Sequence, residues 1–252
     1  MKPGSRRGLV PLDRALSKLG LASRTEARRL IEAGCVEIDG RLIVDPRMTV
    51  VPERASIRIR GVRATPAAHV VVALHKPRGV VTTRSDPEGR PTVYSLLDDL
   101  GAHVVPIGRL DLATSGLLLL TNDTRFADWL TDPRSAVPRV YLVTARGRVT
   151  DEDVERLGRG VESRGERLAA PSVVLRKVSS RESHLLVTLT EGRNREVRRL
   201  FEAIGHEVTR LRRVQIGGLE LGSLAPRAWR VIGEAELSRA FPGYRKRQPP
   251  RT

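Results

Sequence analysis

Cysteine is almost missing from this chain: Cys35 stands alone among 252 residues. One thiol cannot close an internal disulfide or build a thiolate metal cage, and its rarity fits a reducing compartment. Cys35 itself reads as a small buried hydrophobe. The five histidines, at 69, 75, 103, 184 and 206, show no HxxxH or CxxC spacing, which argues against a zinc site. Aromatic residues make up only 3%, too few for a platform that stacks several nucleobases. No long apolar run is present, and Asp13, Arg14 and Lys18 break up the N-terminal stretch where a leader would need one. The expected location is the cytoplasm. No glycine-rich strand-to-helix turn resembles a nucleotide fingerprint, which leaves a methyltransferase reading without support. There is no internal repeat.

Acidic residues are also in short supply. Lys and Arg number 45 against 29 Asp and Glu, a formal net charge of +16. Such an excess implies a polyanionic partner, with counterion release supplying much of the affinity. An anionic membrane surface competes with nucleic acid for that role. The basic residues are not gathered on one amphipathic helix, however, which favours nucleic acid. The first 60 residues carry +6 and the remainder +10, so both parts should touch the polyanion.

Periodicity divides the chain. Leu12, Ala15, Leu16 and Leu19 fall on one helical face. A second helix follows in "SRTEARRLIEAG", with Ser23 and Glu26 spaced as a capping box and Gly34 as the stop. "VEIDGRLIV" reads as a hairpin around Asp39-Gly40. Together these make a compact module of residues 1–60. Residues 61–68, "GVRATPAA", read as a linker. Residues 69–241 are rich in strands ("HVVVAL", "GVVTT", "LLLLT", "VYLVTA", "SVVLRKV", "HLLVTLT") with helices near 124–130, 151–158 and 195–204. Strand runs with a few helices predict an α+β domain on a mostly antiparallel sheet. Residues 242–252 read as a disordered basic tail.

Two stretches invite a chemical reading. In "GRLDLATSGLLLLTND" (108–123), Arg109 and Asp111 stand at the mouth of an apolar strand. Asp111 is either a turn residue satisfying backbone donors or a reactive carboxylate. In "EGRNREVRRLFEAIG", Val197, Leu200, Phe201 and Ile204 form a buried stripe, and Arg195, Arg198, Arg199 and Glu202 another face. That second face is either solvated charge or, with Gly192, Arg193 and Asn194 opening the helix, a place for phosphate or carboxylate capture.

These residues carry a resemblance. Residues 10–60, and "LDRALSKLGLASRTEARRLIEAGCVEIDG" above all, resemble an S4 RNA-binding module. "LHKPRGVVTT", "GRLDLATSGLLLLTND", "RVYLVTARG" and "EGRNREVRRL" resemble, in order, the motifs of the RsuA/RluB-type bacterial ribosomal RNA pseudouridine synthases. The match to the large-subunit type is the closer one. The resemblance implies an α+β chain: a small S4-like module, then a synthase domain with a mostly antiparallel sheet flanked by helices. It implies Asp111 as the catalytic aspartate, with Arg109 in the same motif. Tyr141 would stack on the target uracil, Arg198 would pair with the aspartate, and Leu200 would line the pocket. Two positions vary within the family: Glu196 stands where many members have Gln, and Arg139 where some have Lys.

The chemistry is consistent with those residue types. Converting uridine to pseudouridine breaks the N1–C1′ bond and joins C5 to C1′, with no net redox change. No metal or organic cofactor is therefore expected. A carboxylate is needed as nucleophile or base, and burial would raise its pKa while a guanidinium partner would counter that shift. The implied partner is ribosomal RNA, 23S in preference to 16S, or an assembly particle, bound by a monomer. Arg14, Arg24, Arg28 and Arg29 on the module, with Arg193, Arg195 and Arg199, are the candidate RNA contacts, against a reading as solubility charge. Lys76 either contacts RNA or caps its turn. Tyr141, taken without the resemblance, is a core strand residue. A non-catalytic ribosome-assembly protein on the same fold is the alternative from another class.

Overall fold

The computed structural model describes residues 8–52, 54–65, 68–97, 100 and 102–244. Contacts divide the chain into two compact units. The first runs to Val71 and takes in Leu100–Val105 and Thr121–Thr124; the second holds the rest.

The first unit contains β1 (Val10–Pro11), α1 (Leu12–Lys18), α2 (Arg24–Glu32), β2 (Val36–Ile38), β3 (Arg41–Ile43), β4 (Thr49–Val50), β5 (Ile57–Ile59) and β6 (Val62–Arg63). At the start of α2 the Ser23 hydroxyl accepts from the Glu26 amide at 3.1 Å, which satisfies an otherwise orphaned helix donor. Gly34, at φ +65°, turns the chain out of the helix. Asp39 (φ 49°) and Gly40 (φ 78°) make the hairpin between β2 and β3, the left-handed pair that matches strand twist. Leu12, Ala15, Leu16, Ala27, Ile31, Val36 and Ile38 form the small core. Helices of 7 and 9 residues are too short to persist alone, so this shared apolar face holds them.

Two expectations shift here. The sheet continues through β6, which pairs with β5 across the Arg60-Gly61 turn, so the stretch read as linker begins inside a hairpin. Pro66 and Ala67 of that stretch lie outside the described residues. Cys35 is half-buried rather than buried, because it follows the helix stop at the edge of the core.

The second unit is built on a nine-stranded sheet. Its elements in chain order are β7 (Val71–Lys76), β8 (Val105–Pro106), β9 (Ser115–Thr121), α3 (Thr124–Thr131), β10 (Arg139–Arg146), α4 (Asp151–Arg159), the hairpin β11 (Val161–Ser163) and β12 (Glu166–Leu168), β13 (Ser172–Val178), β14 (Glu182–Leu189), α5 (Glu196–Ala203), β15 (Val208–Ile216), β16 (Leu219–Glu220), β17 (Trp229–Val231) and α6 (Glu234–Ala240). The strand order is β13-β14-β10-β15-β9-β7-β17, with β16 on β15 and β8 on β9. The pairs β13–β14, β14–β10, β10–β15 and β17–β7 are antiparallel; β15 meets β9 in parallel. The architecture is α+β, as expected.

α5 buries Val197, Leu200, Phe201 and, just past its end, Ile204, in one core with Tyr141, Val143, Leu185, Val187 and Leu211 of the sheet. α4 carries a full capping box: the Thr150 hydroxyl accepts from the Asp153 amide, and the Asp153 carboxylate accepts from the Thr150 amide. Aromatic residues gather elsewhere, where Phe126, Trp129, Phe241 and Tyr244 pack with ring centroids 4.9–6.3 Å apart. Tyr244 thereby joins the packing at the start of the stretch read as a tail; Arg245 onward lies outside the described residues.

"GVVTT" (79–83) is not a strand. It forms a single bridge, Val81 to Thr92. Its threonines bond loop carbonyls instead, Thr83 Oγ1 donating locally to Ser85 at 2.9 Å and Thr82 Oγ1 donating to the sequence-distant Leu110 at 2.9 Å. Such side-chain bonds compete with a strand ladder.

Candidate active site

The backbone of Gly116 touches that of Arg213 where β9 meets β15. A Cβ at Gly116 would collide with the Arg213 carbonyl oxygen, and φ is +109°. Only glycine permits this approach. The turn feeding β9, residues 110–114, is therefore drawn against the centre of the sheet.

That turn is fixed from below by Lys76, at the end of β7. Its side chain is enclosed, and Nζ donates to the carbonyls of Pro77 (3.1 Å), Asp111 (3.0 Å) and Thr114 (2.9 Å). An ammonium has three protons, and all three are used. Burial pushes Lys76 down to about 8, Asp111 opposing the shift and Arg213 adding to it. Of the two readings of Lys76, the structure realises the turn cap; an enclosed ammonium shared by three carbonyls has no proton left for an RNA phosphate. The neighbouring loop adds two more ties: the Gly79 amide donates to the Leu112 carbonyl at 2.9 Å, and Thr82 Oγ1 donates to that of Leu110.

With its main chain pinned, the Asp111 side chain stays reachable. It is 39% exposed. The desolvated carboxylate expected from sequence is thus half-exposed, because the loop buries its backbone rather than its tip. Arg109 is exposed beside it. Among the described residues the guanidinium that pairs with Asp111 belongs to Arg195, Nη1 to Oδ2 at 3.8 Å, not to Arg198 as expected. Arg195 is the residue before α5 and adopts φ 49°. This left-handed turn swings its side chain away from the helix face that periodicity assigned to it.

Arg198 lies close enough for Asp111 to influence it electrostatically. Burial lowers its pKa, Arg195 and Arg78 add to that, and Asp111 opposes it. Its Nη1 donates to the Val208 carbonyl at 2.6 Å, while its buried Nε has no acceptor among the described residues. Tyr141 is 9% exposed, in the core with the fully buried Leu200. A β-bulge between Val140 and Tyr141 sets Tyr141 opposite Arg213. Bulges of this kind re-aim a side chain.

Arg213 was not singled out in the sequence. It is 4% exposed, donates from Nε to the Leu117 carbonyl at 2.7 Å, and has a buried Nη2 without a partner among the described residues. Thr114 Oγ1 is also buried and unpartnered. Uncompensated buried donors are costly, and here they flank the Asp111 turn. The run "RLRR" in an otherwise apolar alternation was the only hint.

The remaining arginines separate into two sets. Arg199 is buried and committed to the fold, donating to the Ser163 carbonyl at 2.7 Å and to Glu166 Oε2 at 2.8 Å; it is not placed as a phosphate contact. Arg139 is likewise buried, with Nη1 and Nη2 on the carbonyls of Val137, Thr190, Glu191 and Leu130. Glu196 turns inward, its carboxylate accepting from the Arg193 amide at 3.0 Å, and burial raises its pKa. Arg193 pairs with Glu191 at 2.6 Å and stays partly exposed. In the other unit Arg14, Arg24, Arg28 and Arg29 are all exposed, and Arg24 and Arg28 both reach Asp13 Oδ2, at 3.5 and 3.2 Å.

Comparison with known proteins follows the same division. The family model for RNA pseudouridylate synthase matches residues 70–203, and that for the S4 domain matches residues 10–54. A ribosomal large subunit pseudouridine synthase B of Escherichia coli (strain K12) is 41% identical over 241 residues, covering 92% of this chain and 81% of that protein. Its Bacillus subtilis namesake is 34% identical, covering 90% and 94%. Among solved structures, a pseudouridylate synthase crystal structure aligns with a TM-score of 0.64 at 28% identity, covering 92% of this chain and 99% of that one.

Proposed function

The chain belongs to the RNA pseudouridylate synthase family and carries an S4 domain, and on that premise we propose that it isomerises one uridine of large-subunit ribosomal RNA, with Asp111 as the catalytic carboxylate and no cofactor. The large-subunit assignment rests on the relatives that bear that name. The observation that carries the role of Asp111 is the contrast within one residue: its backbone is held by a buried ammonium while its carboxylate stands half-exposed beside Arg195.

The reaction breaks N1–C1′, turns the uracil, and joins C5 to C1′; C5 loses its proton and N1 gains one. Electrons balance within the nucleotide. A target nucleotide docked over Asp111 displaces its water and so strengthens the field of the carboxylate on the reacting sugar and base. Arg195, with Arg198 behind it, keeps that carboxylate ionised as water leaves. Tyr141 offers the flipped base an aromatic face that offsets part of the unstacking cost, and Leu200 supports it from the core. Arg109, Arg193 and Arg195 contact the substrate strand around the site. On the S4 domain, Arg14, Arg24, Arg28 and Arg29 take phosphates elsewhere on the RNA and supply affinity without choosing the uridine.

Asp111→Asn tests this reading on rRNA tritiated at uracil C5. The amide keeps size and hydrogen-bonding reach but loses the charge, so tritium release should fall roughly 10³-fold or more while RNA affinity stays within about twofold. Release at the wild-type rate would overturn the role of Asp111. Tight binding without release by the wild type would favour the assembly-protein reading.

A further inference from the structure

The ends of β10, β14 and β15 bound a cavity of about 300 Å³ that does not include Asp111. It is lined by Arg78, Arg146, Arg181, Glu182, Thr209 and Arg210, none of which stands among the RNA contacts read from the sequence. Antiparallel register sets Arg146 opposite Glu182 and Arg210 opposite Thr144. Successive strand residues ordinarily face opposite sides of a sheet, yet Thr209 and Arg210 both line this cavity. The reason is a second bulge, between Thr144 and Ala145, which leaves Thr209 as the extra residue of β15. The Thr209 hydroxyl donates to the Thr144 carbonyl at 3.2 Å and holds the bulge in place.

Four guanidinium groups thus converge with a single carboxylate. That carboxylate is already engaged, Glu182 Oε1 lying 3.0 Å from His184 Nε2. Arg146 shares Glu207 at 3.1 Å. Among the described residues no carboxylate lies within 4 Å of Arg78, Arg181 or Arg210. Solvated surface charge has no reason to gather like this around a concavity, because the cations repel one another. An anion with several acceptor oxygens resolves that repulsion, and planar guanidinium forks match phosphate geometry.

We propose that this cavity binds a phosphodiester group of the substrate RNA, on the strand that carries the target nucleotide and just outside the base-binding site. The assignment rests on the synthase reading above. Position ties the two together: the loop that brings Arg78 to the cavity also holds the Asp111 turn, through the Gly79 amide on the Leu112 carbonyl. The cavity has room for one phosphate and not for a duplex, so it fixes the register of a single strand relative to Asp111. Phosphate contacts of this kind position a substrate and do not read its sequence.

The test uses the full chain with Arg146, Arg181 and Arg210 all changed to Ala, and a second variant with all three changed to Lys. Binding to an unmodified large-subunit rRNA transcript and to polyadenylate is measured from low to moderate salt. With the transcript, the Ala variant should bind roughly tenfold more weakly, with the slope of log affinity on log salt shallower by about 0.7–0.9, one phosphate's worth. The Lys variant should recover most of the slope, which shows that charge rather than folding was lost. On polyadenylate the Ala variant should change less, since no target nucleotide sets the register. An unchanged slope with the transcript overturns the subsite. An equal loss on polyadenylate overturns its placement beside the target and leaves only general surface charge. Because binding is read without turnover, a wild-type protein that binds but releases no tritium would overturn the isomerase reading while these slopes still decide the subsite.

Discussion

In the S4 unit Arg14, Arg24, Arg28 and Arg29 stand exposed on and beside two short helices, over a core of small and aliphatic residues. In the synthase unit Arg139, Arg199 and Arg213 are buried with Lys76 and Glu196, each holding backbone or side-chain groups in place. The same residue types therefore serve two ends. Exposed cations give long-range, salt-sensitive attraction and cost the fold little. Buried cations are costly to desolvate unless every proton finds an acceptor, and in exchange they fix loop geometry that apolar packing cannot. The S4 unit keeps its cations at the surface, with Asp13 as the buried charge they reach. The synthase unit has charge inside its architecture, with Lys76 and Arg213 at the Asp111 turn and the strand it feeds and Arg139 and Arg199 holding other segments.

The largest effect should come from the junction on which that architecture depends. Gly116→Ala places a methyl group against the Arg213 carbonyl at a φ that L-residues rarely adopt. Strain and overpacking together should cost about 2–6 kcal/mol, read as a fall in the urea midpoint with loss of tritium release. The glycines at turns tell the contrast: Gly40 has open space around it, and Gly40→Ala should cost only its φ penalty, about 1–2 kcal/mol. Equal losses at the two sites would mean that the close approach of β9 and β15 does not matter.

That junction also marks where the sequence was legible and where it was not. β9, β10, β13 and β14 announce themselves because their apolar residues outweigh everything else in the run. β15 is central to the sheet yet passes unnoticed in sequence: Arg210 and Arg212 keep the alternation around buried Leu211, but Arg213 puts a charge at a buried position and two bulges shift the period. Polar residues at buried strand positions erase the signal on which strand reading rests. The place of Asp111 at the mouth of β9 is legible from the apolar run that follows it, and the α5 stripe from its spacing. The pairing with Arg195 is not, because it depends on one left-handed residue before the helix, a conformation that side-chain periodicity does not encode. The burial of Lys76 is equally invisible: "HKPRG" reads as a polar turn until β7 is placed inside the sheet.

The second prediction concerns that lysine. Burial favours the neutral amine, so the folded value near 8 lies below the ordinary 10.5. Between those pH values the unfolded chain binds the proton that the folded chain has released, and stability rises with pH across that window. Below about 8 both states are charged and Lys76 contributes no slope. Lys76→Met should remove this rise and, by stripping three carbonyls of a donor while relieving one buried charge, destabilise the protein by about 2–4 kcal/mol. Only five lysines occur in the chain, so the side-chain resonance that disappears in Lys76→Met is assignable by NMR. A midpoint for that resonance near 10.5 would contradict the buried-charge account of this unit.

The smallest effects sharpen the comparison most, because they separate two arginines that composition cannot tell apart. Arg199 holds the β11–β12 hairpin through Ser163 and Glu166, so Arg199→Met should lower stability by about 1.5–3 kcal/mol and leave the salt slope of RNA binding unchanged. Arg29 is exposed on α2, and Arg29→Ala should change stability by no more than about 0.5 kcal/mol. Its signature lies in the other measurement: a slope shallower by about 0.7–0.9 if it neutralises one phosphate. The two variants thus exchange which readout moves. If Arg199→Met flattened the salt dependence, its guanidinium would have to leave the hairpin for RNA, and buried charge in this unit would be reserve binding capacity rather than scaffold. If Arg29→Ala left the slope alone, the exposed arginines of the S4 unit would be solvated charge, and affinity for RNA would have to come from the synthase unit and its +10.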